Sequence, residues 1–224
     1  LGTGADGCTI QGNLIGTNET GTAAITPNQL IGIQVTNSSN TLIGGTGTNE
    51  ANLISGHSAT GGRGIQLDGT ATGTQVYGNR IGTNAAASAP IANEIGILIL
   101  DQHTAQIGSG LFGNENFICA NTAFGIDVHS TGNVIDGNIV GLGAGNADTG
   151  MGNGVGLRIN SASNSVGPTS TSLNIFSNNT NEGILINGDA ADNNFIDNVY
   201  VGTDNSNNPY GNGLSGIFIN EGDV

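Results

Sequence analysis

Gly32-Ile33-Gln34-Val35 returns along the chain as Gly64-Ile65-Gln66-Leu67, Gly96-Ile97-Leu98-Ile99, Gly125-Ile126-Asp127-Val128, Gly156-Leu157-Arg158-Ile159, Gly183-Ile184-Leu185-Ile186 and Gly216-Ile217-Phe218-Ile219. The glycines stand 27 to 33 residues apart. A regular period of this size marks a solenoid, in which each repeat buries its apolar face against the next. Two more short apolar segments precede each copy. In the first repeat they are Thr9-Ile10-Gln11 and Leu14-Ile15-Gly16; in the second, Thr41-Leu42-Ile43 and Asn52-Leu53-Ile54. Short β-branched runs bounded by Gly, Asn and Thr are strands. The density of Gly and Asn opposes helix.

Three strands per repeat, none long enough for an up-and-down barrel, predict an all-β parallel β-helix of about seven coils of about 31 residues. Stacked at ~4.8 Å, the coils make a rod of roughly 34 Å. Two inward columns follow: Ile33, Ile65, Ile97, Ile126, Leu157, Ile184, Ile217, and Val35, Leu67, Ile99, Val128, Ile159, Ile186, Ile219. A polar column is expected just before the second strand, from Asn13, Asn52, Asn79, Asn116, Asn138, Asn174 and Asn198. Stacked Asn side chains hydrogen-bond from coil to coil, and Asn tolerates the backbone of tight corners.

The loops alternate. Repeats one, three, five and seven place a long loop before the third strand, as in Thr17 to Leu30 and Thr83 to Glu94. Repeats two, four and six loop out between the first two strands, as in Gly44 to Ala51 and Gly108 to Glu115. The unit is therefore a pair of coils, in the order ABABABA, with two ridges at different corners.

Asn13-Leu14-Ile15-Gly16-Thr17-Asn18, Ile43-Gly44-Gly45-Thr46 and Asn52-Leu53-Ile54-Ser55-Gly56, with the seven Gly-initiated strands, resemble the right-handed parallel β-helix repeat proteins of the pectin-lyase-like superfamily. The likeness is greatest to the IGGT/GNxIGTN repeats of large secreted or surface proteins of prokaryotes. It covers the whole chain. The resemblance implies a right-handed coil and a fold shared by polysaccharide lyases, hydrolases, adhesins and passive stalks.

Composition narrows the partners. Of 224 residues 17 are acidic and 3 basic, for a net charge of −14, and the chain has no lysine. Scattered Arg63, Arg80 and Arg158 cannot neutralise a phosphate backbone, so nucleic acid is excluded. No apolar run reaches the ~20 residues of a membrane-spanning helix. The chain opens at Leu1 in mid-pattern without a signal peptide, which suggests a processed or truncated piece. Cys8 and Cys119 fall in the first and fourth repeats, about 14 Å apart at the strand spacing, too far for a disulfide.

Enzymes that this chain resembles place their chemistry on the outward face of a strand. The outward column of the third strand is Gln34, Gln66, Leu98, Asp127, Arg158, Leu185, Phe218, followed by Thr36, Asp68, Leu100, His129, Asn160, Asn187, Asn220. Asp127, His129 and Arg158, with Asp101 and His103 nearby, form the candidate catalytic patch. Polysaccharide lyases that this chain resembles use carboxylates to hold Ca²⁺ and an Arg or Lys to take a proton, which Asp127 with Arg158 would imitate; hydrolases that it resembles need paired carboxylates about 5–10 Å apart, for which Asp101 and Asp127 qualify by coil spacing. The competing expectation is an exposed cross-strand Asp127–Arg158 ion pair. His57, His103 and His129 are expected to lack a close Asp partner, which argues against a transition-metal site. Asp189, Asp192 and Asp204 are the candidate Ca²⁺ ligands. Asn18, Asn37 and Asn178 head N-x-[ST] sequons. Thr17, Thr83 and Thr203 recur only on alternate coils, which does not make an ice-binding array.

The expected function is therefore an extracellular or cell-surface structural module over residues 1–224, as a stalk, adhesin or filament subunit without catalysis. It is expected to be a segment of a longer repeat protein or a subunit that stacks head to tail on itself. The alternative is a polysaccharide-active enzyme, or a non-catalytic carbohydrate-binding face that meets a surface polysaccharide. No cofactor is expected beyond Ca²⁺.

Overall fold

A computed structural model of the chain describes residues 5–111, 113–169 and 174–221. The first coil carries strands Thr9–Ile10, Leu14–Ile15 and Ile31–Thr36, and six further coils repeat the set. The strands form three parallel seven-stranded sheets: sheet one from the first strands, sheet two from the second, sheet three from the third. Each strand pairs with its counterpart one coil later, so each sheet runs the length of the rod. Among the described residues the one helical element is a short 3₁₀ turn, Ala144–Asn146.

Both expected inward columns are in register on sheet three, from Ile33 to Ile217 and from Val35 to Ile219. Sheet one adds Ile43, Val76, Ile107, Ile135 and Val166, and sheet two adds Ile54, Ile81, Ile118, Val140 and Phe176. These ten are fully buried. Each large aliphatic side chain so enclosed stabilises the rod by about 1.5–3 kcal/mol. At the last described coil the columns open to solvent: Ile217 is 44% exposed and Ile219 72%.

The glycine that opens each sheet-three strand has a steric cause. A Cβ on Gly96 would stand 2.5 Å from the Gly125 carbonyl oxygen and 2.9 Å from Asn121 Nδ2; one on Gly125 would stand 2.6 Å from the Gly156 carbonyl oxygen. The same clash recurs coil after coil, so any side chain here would push adjacent coils apart.

All three corners carry stacked amides. At the corner before sheet two, the backbone N–H and Nδ2 of Asn13 both donate to Asn52 Oδ1, and Asn52 and Asn79 repeat the pattern one coil on. Asn116 and Asn138 extend the ladder to Asn174. From Asn52 to Asn174 each Nδ2 also donates to a carbonyl of the sheet-one strand of the previous coil, as Asn116 does to Val76 at 2.7 Å. Asn198, the expected seventh member, is not in the ladder. Val199 pairs with Asn174, while Asn198 bonds the carboxylate of its neighbour Asp197. The cause is one extra residue: Val199-Tyr200-Val201 precedes Gly202, where Arg80-Ile81 precedes Gly82.

A second ladder precedes sheet three: Asn93, Asn121, Asn153, Asn179 and Asn212, each amide donating to the next. His57 occupies its place in coil two, donating its backbone N–H to Asn93 Oδ1. A third precedes sheet one, where Asn133 and Asn164 donate in turn to Asn164 and Asn194.

The two expected ridges are present. Long loops of alternate coils meet directly: Ala85 N donates to Gly21 O, and Ala144 N to Ala87 O. Within them Asn18, Asn84 and Asp204 accept backbone N–H groups of their own loops, which explains the recurring Gly-Thr-Asn signature. The ridge of coils two and four stands at the corner between sheets one and two, and the corresponding loop of coil six falls in part outside the described residues.

Candidate functional site

Register brings together part of the expected patch on sheet three. Asp127, on strand Phe124–Val128, lies directly opposite Arg158, on strand Val155–Ile159. Their outward aim follows from the inward aim of Ile126, Val128, Leu157 and Ile159, because successive side chains alternate. Arg158 Nε donates to Asp127 Oδ1 at 2.8 Å and its Nη2 to Asp127 Oδ2 at 2.7 Å. The guanidinium also lies 3.7 Å from the centroid of the Phe124 ring. The pair is not the exposed bridge that outward position suggests: the Asp127 side chain is 1% exposed and that of Arg158 25%. Neighbouring side chains of the same face close over the carboxylate.

His129 Nε2 stands 3.1 Å from Asp127 Oδ1, so the expectation of no close His/Asp pair is overturned. Alternation is the reason, since residues two apart on a strand share a face. Asn160 completes the group. With its amide oxygen toward them, it accepts from Arg158 Nε at 3.1 Å and His129 Nε2 at 3.2 Å, and its nitrogen donates to the Asn187 carbonyl. Asp127 thus faces a bidentate guanidinium and an imidazole, with no second carboxylate among these contacts. Chemically this is a saturated anion, held in the geometry that makes charge-assisted bonds strong.

Asp101 does not join it. Its carboxylate accepts the Gly69 N–H at 3.0 Å, reaching back to coil two, while Asp127 reaches forward to coil five. The paired carboxylates of a glycosidase are therefore not assembled from these two. His103 is fully enclosed, with Nδ1 3.1 Å from the Asp68 carbonyl and Nε2 2.8 Å from Thr74 Oγ1. Burial holds its pKa below the ordinary histidine value, and the hydrogen bond to Asp68 offsets this only in part. Burial of Asp68 opposes its ionisation, but side-chain hydrogen bonds, those from Gln34 and Gln66 among them, outweigh it and hold the carboxyl below the usual range.

The Ca²⁺ candidates are scattered. Asp204 accepts from Ser206 N, Asn208 N and Asn208 Nδ2, the donor surroundings of a loop anchor rather than the oxygen cage that a cation needs. Asp189 and Asp192 lie exposed in the turn after strand Ile184–Asn187. Among the described residues no three His, Cys, Asp or Glu gather as a metal site. The sequon asparagines hold structure: Asn18 organises its loop, Asn37 Oδ1 accepts Thr70 N, and Asn178 Nδ2 donates to Gly141 O and Asp148 O. Thr17 and Thr83 are buried, so they present no outer array. Both cysteines are free thiols. No helix of the described residues is long and apolar enough to cross a membrane.

Taken together, register, core and corner ladders define a seven-coil, three-sheet parallel β-solenoid. Compared with known proteins, the chain matches no family model, no curated protein and no solved structure.

Sequence reasoning missed two of the three ladders. The second is hidden by its spacing, since Asn93 and Asn153 stand three residues before their strand glycine and Asn121, Asn179 and Asn212 four. The third changes residue type, from Thr41, Thr74 and Ala105 in early coils to Asn133, Asn164 and Asn194 in later ones. It also passed over Arg80, whose apolar column neighbours were the available signal.

Proposed function

We propose that the chain is a non-catalytic structural or adhesive β-solenoid module of a secreted or surface-exposed protein, of the kind that its repeats resemble. The observation that carries this reading is the closure of the one chemical patch. Asp127, the only carboxylate placed for acid–base work there, is 1% exposed and bound through both oxygens to Arg158. A general base must reach the proton it abstracts, and this one is turned inward to its own partner. The amide ladders support the same reading, because they commit the recurring polar residues to joining coil to coil. An acidic, lysine-free surface suits a rod that stays soluble and meets neither nucleic acid nor anionic lipid. The reading assigns the rod no resident cofactor beyond loosely held Ca²⁺. Its polymer form is head-to-tail stacking of copies, and its adhesive form is contact with a surface polysaccharide.

The test is incubation with a panel of neutral and acidic polysaccharides, with and without Ca²⁺, followed by assays for unsaturated products and new reducing ends. No product is expected. Turnover that disappears in Asp127→Asn would replace this reading with the enzymatic one. Sedimentation velocity across a range of protein concentrations checks the polymer form, and a concentration-independent monomer would remove it.

A further inference from the structure

The alternation of loops leaves a notch. Coils two and four send loops out between sheets one and two, whereas coil three makes a tight turn from Tyr77 to Arg80. The result is a cleft of about 430 Å³ walled by Gly45, Gly47 and Asn49 on one side and Gly113 and Asn114 on the other. Its volume lies in the range of small-molecule sites.

Arg80 stands at the floor. In the outward column of sheet two it replaces an apolar residue, between Leu53 and Phe117 in register, with Leu14 below and Ile139, Ile175 and Tyr200 above. Its Nε is buried and without a hydrogen-bond partner. In a chain with 17 acidic and 3 basic residues, Arg80 is left without a carboxylate partner among the described residues, whereas Arg158 is paired with Asp127. Glu115, the carboxylate of the lining, accepts the Gly113 N–H through Oε1 at 2.8 Å, and Glu50 accepts the Gly47 N–H through Oε2 at 2.7 Å, each stapling its own loop. Arg63 shares the unpartnered Nε but does not line this cleft.

We propose that the cleft over Arg80 binds a small hydroxylated monocarboxylate, of the size of one sugar-acid ring. The planar fork of an arginine matches a carboxylate bidentately. Glu115, in the lining itself, opposes a dianion such as phosphate more than a monoanion, since the repulsion scales with the ligand's charge. Asn49, Asn114 and the peptide groups of the glycine walls supply donors and acceptors for hydroxyls. Phe117 offers an apolar ring beside the charge for the C–H face of the ligand. The site lies on sheet two, away from the Asp127 patch, and does not depend on whether the rods assemble.

The test is calorimetric titration of the whole chain at low salt with D-glucuronate, D-glucose and inorganic phosphate. Glucuronate is expected to bind with a dissociation constant on the order of 1 mM, glucose not at all, and phosphate more weakly than glucuronate. Arg80→Gln is expected to weaken glucuronate at least tenfold, and Arg80→Lys to weaken it less. Amide shifts on the wild-type chain are expected to cluster at Gly45, Gly78 and Gly113, a readout that stands even where a variant fails to fold. Absence of glucuronate binding up to tens of millimolar, unchanged affinity in Arg80→Gln, or tighter binding of phosphate each overturns the proposal.

Discussion

Arg158 and Arg80 are the same residue in the same situation, projecting outward from a strand in the middle coils, yet their chemical states are opposite. Arg158 has Asp127 directly opposite one coil below, and its Nε–Nη2 edge is taken by both carboxylate oxygens. Arg80 has Leu53 on one side and Phe117 on the other, and its Nε is unpartnered. Residue type says little about the role of a polar group in a solenoid; the residues at the same position one coil above and below decide it. The first environment closes a group that otherwise looks catalytic. The second leaves open a group that looks ordinary.

The same contrast is sharpest between Asn116 and Asn198. Asn116 Oδ1 accepts two hydrogen bonds from Asn79 and its Nδ2 donates to Val76 and Asn138, all buried. Asn116→Ala removes these bonds and leaves several buried groups unsatisfied, each at a cost of about 1–3 kcal/mol. A loss of about 3–5 kcal/mol in unfolding free energy by urea titration is expected. Asn198→Ala is expected to stay within ~1 kcal/mol, because its partner is the exposed Asp197. Equal losses at the two positions would break the rule that register decides.

The arginines come next in size. Asp127→Ala strands the Arg158 guanidinium against Phe124; complete burial of such an orphan costs ~3–5 kcal/mol, and the one-quarter exposure of Arg158 reduces this to about 2 kcal/mol. Arg80→Ala has no pair to break and is expected to change stability by less than ~0.5 kcal/mol. A destabilisation in Arg80→Ala that matches Asp127→Ala would mean that Arg80 is paired in solution, with Glu115 of the same cleft as the candidate partner.

What the sequence made legible follows from the same physics. Strand alternation and a near-constant period expose the columns of Ile33 and Val35 to inspection, since apolar residues must recur where they stack. The first ladder was legible through Asn174 because its members sit directly before a strand. It failed at Asn198 because one inserted residue shifts the register, and insertion is invisible when both Asn-Val and Asp-Asn fit the motif. The candidate patch was legible as a set of neighbours, Asp127, His129 and Arg158, but not as a closed one. Burial of Asp127 depends on how Arg158 and His129 gather at its oxygens, which spacing does not carry. The notch over Arg80 was least legible, because it arises from what coil three lacks between two loops.

The histidines extend the contrast to pH. His129 is partly exposed on the patch, whereas His103 is sealed between the Asp68 carbonyl and Thr74. Burial depresses the folded-state pKa of His103 below its unfolded value, ~6.5. Below ~6.5 the unfolded chain therefore takes up the proton first, so the stability that His103 contributes above that pH is lost as pH falls through its folded value. The urea midpoint is expected to fall from pH 7 to pH 5 in the wild type and to fall less steeply in His103→Gln. Asp68, also depressed, loses its contribution only at more acidic pH, below the unfolded carboxylate value of ~3.9, so the two steps separate. An identical slope in His103→Gln would assign the acid sensitivity to other groups.

The two thiols give the smallest effect on stability and the cleanest readout of closure. Cys8 is exposed, while Cys119 is completely buried and donates to the Leu142 carbonyl at 3.0 Å. Burial pushes the Cys119 thiol up to about 12, so the reactive thiolate is scarce as well as inaccessible. A disulfide-exchange reagent is expected to modify Cys8 at once in the native chain and Cys119 only when coil four opens. Cys8→Ser should leave the unfolding midpoint unchanged within ~0.5 kcal/mol, which isolates Cys119 as the single reporter. Its labelling rate should then climb with urea in step with global unfolding, because the neighbouring coils clamp it from both sides. Labelling of Cys119 at low urea, well before the cooperative transition, would show that the middle of the rod opens locally and that neighbouring coils enclose it less firmly than the stacked ladders imply.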